Sequence, residues 1–267
     1  MTPELSPRTQ RLVERFFETG ERAEITRRLV EECGNNLPFC DQSDAYQLER
    51  IRFAALRLGL GDLDETQNAI DLAKRDWRDV LVWSGFGNDL TAHNGWAERV
   101  LKSGHKAIVI VIMGVSGSGK TRVGSLLANT LNWMYRDADN FHSRENLEKM
   151  SNGIPLTDQD RAGWLLKLRG LISRYIEKDE DLILPCSALK ESYRQILRVN
   201  EEVRFVYLRG TYEQIEARMR ERSGHFMKPE MLKSQFEILE EPRDALTVDI
   251  SNTPQEIVKL IHNAWNL

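Results

Sequence analysis

The stretch IVIVIMGVSGSGKTRVG, residues 108–124, joins three local patterns. Its first six residues are apolar and mostly β-branched, which predicts a buried strand. Glycine and serine then alternate, and the residues from Lys120 onward predict a helix. A glycine-rich turn between a strand and a helix presents backbone N–H groups to a bound anion. The stretch therefore predicts an α/β fold with a phosphate-binding loop.

The loop fits the pattern G-x-x-x-x-G-K-[ST] in the required context of a strand before it and a helix after it. Its residues are Gly114, Val115, Ser116, Gly117, Ser118, Gly119, Lys120 and Thr121. We expect Lys120 to contact the β and γ phosphates of ATP and the Thr121 hydroxyl to ligate Mg²⁺. The pattern alone does not separate a switch, a motor and a small-molecule kinase.

Beyond this loop, apolar strands alternate with helical segments up to the end of the chain. The predicted strands cover residues 107–113, 132–136, 181–185, 203–208 and 246–250. Such alternation is typical of a parallel sheet flanked by helices. Pro185 lacks an N–H group for the sheet, so we expect its strand to end at Leu184 or to carry a bulge.

The first hundred residues contain amphipathic stretches at helical spacing and no convincing strand. They predict a small all-helical domain over residues 1–102, followed by an α/β domain over residues 103–267. Trp77, Trp83 and Trp96 are expected to lie in the helical core, because large aromatic side chains carry much of the burial in small domains.

Composition narrows the range of partners. The formal charge is −4 and the isoelectric point is near 5.9, without a basic cluster, which disfavours a nucleic-acid surface. The longest apolar run, Ala107–Met113, is too short to span a membrane, and the N-terminus lacks an apolar leader, so we expect a cytosolic protein without membrane partners. Cys33, Cys40 and Cys186 are irregularly spaced, which favours reduced thiols over disulfides or a zinc site.

Two carboxylates follow the second predicted strand, in NWMYRDADNFHSREN. Asp137 and Asp139 are two residues apart, so on a strand they would share one face and point into the crevice above the sheet. One carboxylate near Mg²⁺, assigned to Asp137, and one near an acceptor hydroxyl, assigned to Asp139, would suit phosphoryl transfer. The alternative is that Asp139 caps a turn. The pattern leaves open which of the two accepts the proton.

Four segments together resemble the thermoresistant-type gluconokinases: GVSGSGKT, DADNFHSRENLEKMSNGIPLTDQDRAGWL, CSALKESYR and RMRERSGHFMKPEMLKSQFEILEEP. They occur in the family's order and spacing and span about residues 107–267. The resemblance implies an adenylate-kinase-like P-loop kinase with a mobile lid. It also implies the phosphorylation of D-gluconate to 6-phospho-D-gluconate with ATP and Mg²⁺, a step of gluconate utilisation. The helical first domain resembles no known family.

The resemblance assigns roles to further residues. The implied contacts to gluconate are Asp139, His142, Arg144, Lys190 and Arg194. The implied lid arginines are Arg218 and Arg222, four residues apart, which would act with Lys120 and Asp139 in catalysis. Surface ion pairs for Arg144 and Arg194, and a solvated helix for the two lid arginines, are the alternatives.

Three readings of the function remain open at this point. The first is gluconate phosphorylation, and the second is a P-loop kinase for another acceptor, such as another sugar acid, shikimate or a nucleotide. The third is a nucleotide-binding regulator without turnover. The helices of residues 1–102 are expected to serve regulation, self-association or a protein partner, and to hold no catalytic residue.

Overall fold

The computed structural model describes residues 5–34, 37–38, 44–87, 89–102, 104–221 and 229–267. The chain divides into two compact units. The helical unit comprises Met1–Lys106 together with Lys178–Glu180, and the sheet unit comprises Ala107–Glu177 and Asp181–Leu267. The helical unit is therefore discontinuous in sequence, because it includes a short segment from much later in the chain.

The described part of the helical unit contains helices joined by turns. They are α1 (Pro7–Phe16), α2 (Arg22–Glu31), α3 (Ala45–Gly59), α4 (Leu63–Trp83) and α5 (Ala92–Leu101). Ser6 begins α1, since its hydroxyl accepts a hydrogen bond from the Thr9 amide and Pro7 occupies the first helical position. The described residues thus agree with the predicted all-helical segment.

Aromatic side chains form the centre of the helical unit. Trp96 is fully buried, with its ring centroid 6.0 Å from that of Phe16 and 5.9 Å from that of Phe53. Such ring pairs add to the free energy gained from burial alone. The prediction that Trp96 lies in the core is correct.

The other two tryptophans differ from the prediction. Trp77 is only half-buried, and Trp83 is 66% exposed, so the core assignment of Trp83 is wrong. Both follow a break in α4 at Asp76, whose backbone has φ −154° and ψ 108°. A break of this kind changes the phase of the helix, so the apolar spacing read across it does not define one continuous face.

A buried ion pair completes the core of the helical unit. The Arg57 guanidinium lies 2.7 Å from the Glu180 carboxylate, and both side chains are fully buried. Trp96 donates from Nε1 to the other carboxylate oxygen at 2.5 Å, and Arg57 also donates to the Ser84 carbonyl at 2.9 Å. Buried charges are tolerated when their remaining hydrogen-bonding capacity is satisfied in this way. The segment Lys178–Glu180 thus supplies the carboxylate that neutralises Arg57.

We expect Glu180→Ala to lower the free energy of unfolding by about 3–5 kcal/mol, because it removes the carboxylate that pairs with the buried Arg57 charge. The matched control is Asp179→Asn, which neutralises a neighbouring carboxylate whose partner, Arg15, is about one-third exposed, and which keeps a residue type that tolerates the left-handed backbone at this position (φ 55°). The control should cost about 0–1 kcal/mol. Urea titration of the full chain measures both values, and equal losses would contradict the role given to Glu180.

The described strands of the sheet unit form one parallel sheet. They are β1 (Val109–Met113), β2 (Met134–Tyr135), β3 (Leu182–Pro185), β4 (Val203–Arg209) and β5 (Leu246–Asp249), in the order β2-β3-β1-β4-β5. Every residue of β1 is buried, as expected for a central strand covered on both faces. The predicted parallel α/β fold is confirmed, with strand ends shifted by at most two residues.

Helices surround this sheet. They are α6 (Lys120–Leu131), α7 (Arg144–Ser151), α8 (Asp158–Glu177), α9 (Glu191–Leu197), α10 (Tyr212–Glu221), α11 (Pro229–Ile238) and α12 (Pro254–Trp265), with a 3₁₀ turn at Ala138–Phe141. Thr157 and Asp160 form a reciprocal cap of α8, each side chain accepting from the other residue's amide. Among the described residues, every helix is too short or too polar to cross a membrane.

Pro185 stays within β3, so the expected early end or bulge is wrong. The Leu182 amide donates to the Ile108 carbonyl, just before β1, and the Cys186 amide donates to the Ile112 carbonyl in β1, both at 3.0 Å. Because N–H groups alternate sides along a strand, position 185 faces the β2 side of β3. β2 ends at Tyr135, so the missing N–H group of the proline breaks no ladder hydrogen bond.

Candidate active site

The phosphate loop connects β1 to α6 in a conformation that requires glycine. Gly114 has φ of 142°, and a Cβ atom there would lie 2.9 Å from the Leu208 carbonyl oxygen. Gly119 begins α6 with φ of 101°. Glycine reaches this region of backbone space without steric cost, and it leaves the N–H groups of the loop accessible.

A cavity of about 520 Å³ opens beside the loop. Its lining residues are Ser116, Gly117, Gly119, Lys120, Thr121, Arg122, Ser125, Asp137, Asp139 and Pro185. The structure thus brings most of the predicted loop together with both predicted carboxylates. Arg122, Ser125 and Pro185 were missed from the sequence, although Arg122 and Ser125 lie on the first turns of the helix that the loop begins.

Lys120 is held inside the sheet unit rather than extended into solvent. Its ammonium group donates to the Val115 carbonyl at 3.1 Å. Burial lowers its pKa, and the nearby carboxylates of Asp139 and Asp137 oppose that shift. The result is a cation placed within a loop of backbone N–H groups, which suits the binding of a polyphosphate.

The chemistry of the lining fits ATP and Mg²⁺. The lining combines Lys120, a cation, with loop residues whose backbone can bind phosphate oxygens. Thr121 and Asp137 offer the hard oxygen donors that Mg²⁺ prefers. The described residues contain no cluster of three or more His, Cys, Asp or Glu side chains suited to a metal. Kinase Mg²⁺ is usually held by one or two protein ligands and substrate phosphates, so no such cluster is required.

Asp137 and Asp139 reach the cavity in a different way from the one predicted. The strand ends at Tyr135, and Asp139 lies in the 3₁₀ turn that follows, so the two carboxylates do not share a strand face. Asp137 caps the turn, since its Oδ1 accepts from the Asp139 amide at 3.1 Å. The capping role considered for Asp139 therefore falls to Asp137.

The environment of Asp139 favours its protonated form more than water does. The carboxyl is open to the cavity, yet the cavity walls and the neighbouring Asp137 charge raise its pKa, and Lys120 opposes them. A carboxylate with a raised pKa is a better proton acceptor than an ordinary aspartate. Asp139 thus has the character of a general base in a cleft.

His142 lies after this turn and packs against the start of α8. Its ring stacks on Trp164 with centroids 4.4 Å apart, and burial together with the Arg161 charge lowers its pKa to about 4. The imidazole is therefore neutral at pH 7. It can offer a hydrogen bond to a hydroxyl, but it cannot supply a positive charge to a carboxylate.

The three basic residues predicted to contact an acceptor are not among the residues that line the cavity. Lys190 pairs with Asp158 at 2.7 Å. Arg144 is 89% exposed and pairs with Glu148 at 3.0 Å on its own helix, which matches the surface-pair alternative. The structure therefore does not bring the Arg144 guanidinium to the cavity.

The Arg194 side chain, on α9, is enclosed by the turn that precedes this helix. Its side chain is 1% exposed and donates to the carbonyls of Ala188 and Leu189, both at 3.1 Å, and to the Glu191 carboxylate at 2.7 Å. These bonds occupy its guanidinium and fix the turn between β3 and α9. The predicted contact of Arg194 with an acceptor stays a prediction, and in this structure the side chain shapes the turn.

Of the two predicted lid arginines, Arg218 lies within the described residues and Arg222 lies outside them. Cys40, in the helical unit, also lies outside them. Arg218 is half-buried and donates to the Ile250 carbonyl. It does not line the cavity in this structure.

One further residue touches the phosphate loop and was not found from the sequence. Gln235, on α11, accepts a hydrogen bond from the Ser116 amide through Oε1 at 2.7 Å. A carboxamide oxygen here satisfies an N–H group that a phosphate oxygen could otherwise bind. No local pattern indicates this contact, because the partners are 119 residues apart.

A parallel sheet, a phosphate loop before α6, and a lysine and two aspartates around one cavity define a P-loop kinase. Residues 116–259, slightly more than half of the chain, match the family model described as shikimate kinase. A probable gluconokinase of Rattus norvegicus is 46% identical over 153 residues, which cover 50% of this chain and 83% of the relative.

Two further relatives bear the same name. The thermoresistant gluconokinase of Escherichia coli (strain K12) is 42% identical and aligns with 58% of this chain and 91% of its own. The crystal structure of a gluconokinase from Sinorhizobium meliloti 1021 superposes with a TM-score of 0.53 at 42% identity, covering 58% of this chain and 89% of that chain. The chain therefore belongs to the gluconokinase family, and the N-terminal helices lie outside the matched region.

Proposed function

We propose that this protein transfers the γ-phosphoryl group of ATP to the 6-hydroxyl of D-gluconate. The observation that carries the proposal is the convergence of Lys120, Thr121, Asp137 and Asp139 on one cavity, in a chain 46% identical to a probable gluconokinase. The family model named for shikimate kinase describes the same loop-bearing domain, so shikimate is the natural second acceptor to examine.

The proposed chemistry assigns one task to each group. The loop amides and Lys120 bind the phosphates and offset their charge. Thr121 and Asp137 would hold Mg²⁺, which when bound would neutralise charge on the phosphate oxygens. Asp139 orients the acceptor hydroxyl and accepts its proton as the new O–P bond forms. The bond to the bridging oxygen breaks, and ADP leaves with that oxygen. Positioning and electrostatics supply most of the catalysis.

The acceptor side of the site is proposed from the residues that the resemblance implies. Asp139, His142 and Lys190 are proposed contacts to gluconate, with Lys190 exchanging Asp158 for the substrate carboxylate. Arg144, which is exposed, and Arg194, which is held by the preceding turn, stay predictions as direct contacts. The lid role of Arg218 and Arg222 stays a prediction.

The helical residues are proposed to form a separate domain that serves regulation, self-association or a protein partner. The boundary at residue 102 and the cytosolic location also stay predictions. No part of the proposed chemistry uses a residue from this domain.

An acceptor panel tests the proposal. ADP release is measured with D-gluconate, other sugar acids, shikimate and nucleoside monophosphates at fixed MgATP. We expect kcat/KM for D-gluconate to exceed every other value at least tenfold, which is about 1.4 kcal/mol of transition-state preference. A tenfold preference for another acceptor would replace gluconate in the assignment. Nucleotide binding without any acceptor-dependent ADP release would instead support the regulator.

A further inference from the structure

We propose that Tyr135 is a positioning residue that orients the Asp137 carboxylate and thereby sets the affinity of the site for Mg²⁺. This inference rests on the proposed function, in which Thr121 and Asp137 hold the metal. Tyr135 itself makes no proposed contact with the metal or with either substrate.

The contacts of the Tyr135 hydroxyl carry the proposal. Its O–H group donates to Asp137 Oδ2, with the two oxygens 3.2 Å apart. Tyr135 is itself in β2, so this bond ties a carboxylate that follows the strand to the strand itself.

The ring that carries this hydroxyl is held by packing. Tyr135 is in β2 and pairs with Ile183 in the sheet. A Cβ atom added to Gly124 would lie 3.3 Å from Tyr135 Cε2 and 2.7 Å from Pro185 Cγ, so α6 approaches both rings closely at this glycine. The position of the hydroxyl is therefore set by the sheet and α6, without any need for a bound metal.

The hydrogen bonds of the Asp137 carboxylate agree with this role. The Tyr135 hydroxyl donates to Oδ2, and Oδ1 accepts from the Asp139 amide. The orientation of the Asp137 carboxylate is thus fixed at both of its oxygens.

The expected effect concerns metal affinity. Mg²⁺ demands near-ideal octahedral geometry, so it is sensitive to the placement of each protein ligand. Loss of a residue that orients metal ligands typically lowers metal affinity or activity about 10–100-fold. Tyr135→Phe removes the hydroxyl and keeps the ring that packs against α6. The matched control is Tyr207→Phe, which removes a phenol that hydrogen-bonds to Glu241 and does not line the cavity.

The test uses the full chain and ADP, without gluconate. Calorimetry first gives the Kd of ADP in EDTA, and Mg²⁺ is then titrated into the ADP-saturated protein. For Tyr135→Phe we expect metal-free ADP binding within twofold of the parent and a Kd for Mg²⁺ raised about 10–100-fold. For Tyr207→Phe we expect both values to be unchanged. Retained ADP binding also shows that each variant is folded.

Three results would overturn the proposal. The first is a Mg²⁺ affinity of Tyr135→Phe within twofold of the parent, and the second is an equal loss of metal-free ADP binding, which would assign the hydroxyl to the loop itself. The third is an unchanged Mg²⁺ affinity in both Thr121→Val and Asp137→Asn, which would remove the ligand assignment on which the inference rests. Because gluconate is absent, a wrong acceptor assignment leaves all of these readouts unaffected.

Discussion

Lys120→Ala is expected to lower kcat for gluconate phosphorylation by at least about 10²–10³-fold, the scale observed when a preorganised charge-stabilising donor is removed. The ammonium group is buried beside the phosphate loop and is anchored only 3.1 Å from the Val115 carbonyl. Alanine removes the positive charge aimed at the phosphoryl group, whereas the loop amides remain. Nucleotide binding should therefore weaken less than turnover does.

The fold should survive this change, because the buried ammonium is already disfavoured by desolvation. The control is Lys259→Ala, which removes an exposed lysine from α12 and should leave kcat unchanged. Steady-state ADP release and thermal unfolding of the two variants make the comparison. A kcat for Lys120→Ala within tenfold of the parent would contradict the role of this lysine.

Asp139→Asn is expected to lower kcat by about 10²–10⁴-fold, the usual contribution of a positioned proton acceptor. Asparagine keeps the shape and the polarity of the side chain but cannot accept the hydroxyl proton. Affinity for MgATP should stay close to that of the parent. Asp137→Asn provides the matched comparison, since the proposal predicts that it changes the Mg²⁺ requirement first.

The pH dependence gives a second measure of the same role. A base must be ionised to accept a proton, so kcat should fall as the pH is lowered through the pKa of Asp139. That pKa is raised by the cavity walls and by Asp137, so the fall should begin above the range of an ordinary aspartate, whose pKa is about 3.9. The residual activity of Asp139→Asn should lack this limb. A near-parent rate for Asp139→Asn would move the base to another residue.

The sheet and the phosphate loop were predictable because their signals are local. An apolar run followed by a glycine turn and a helix is a short pattern, and it predicted β1 and the loop to within two residues. The two aspartates were also found, although their placement on a strand face was wrong because β2 ends at Tyr135. Side-chain alternation cannot be extended past the end of a strand.

The missed features depend on partners that are distant in sequence. Gln235, on α11, accepts a hydrogen bond from the Ser116 amide in the phosphate loop, and Glu180 lies 123 residues from Arg57 in the sequence. Arg194 is a residue type that often binds anionic ligands, but its guanidinium donates to nearby backbone carbonyls. The partners of such a side chain depend on the folded loop and cannot be predicted from the residue type alone.

The segment Lys178–Glu180 also bears on the proposed domain division. The predicted domain of residues 1–102 ends long before Glu180, so on its own it would bury Arg57 without its carboxylate. We therefore expect the helical residues to be less stable as a fragment than in the full chain. Every residue that lines the cavity lies beyond residue 106, so the proposed chemistry does not require the fragment.

The most direct test of the central claim is the ³¹P and ¹³C NMR spectrum of the product made from D-gluconate and MgATP by the purified full chain. The account predicts one phosphomonoester on the C6 oxygen, formed in equal amount to ADP and absent with Lys120→Ala. A phosphate on another carbon, or ADP formed with inorganic phosphate and no gluconate ester, would contradict it.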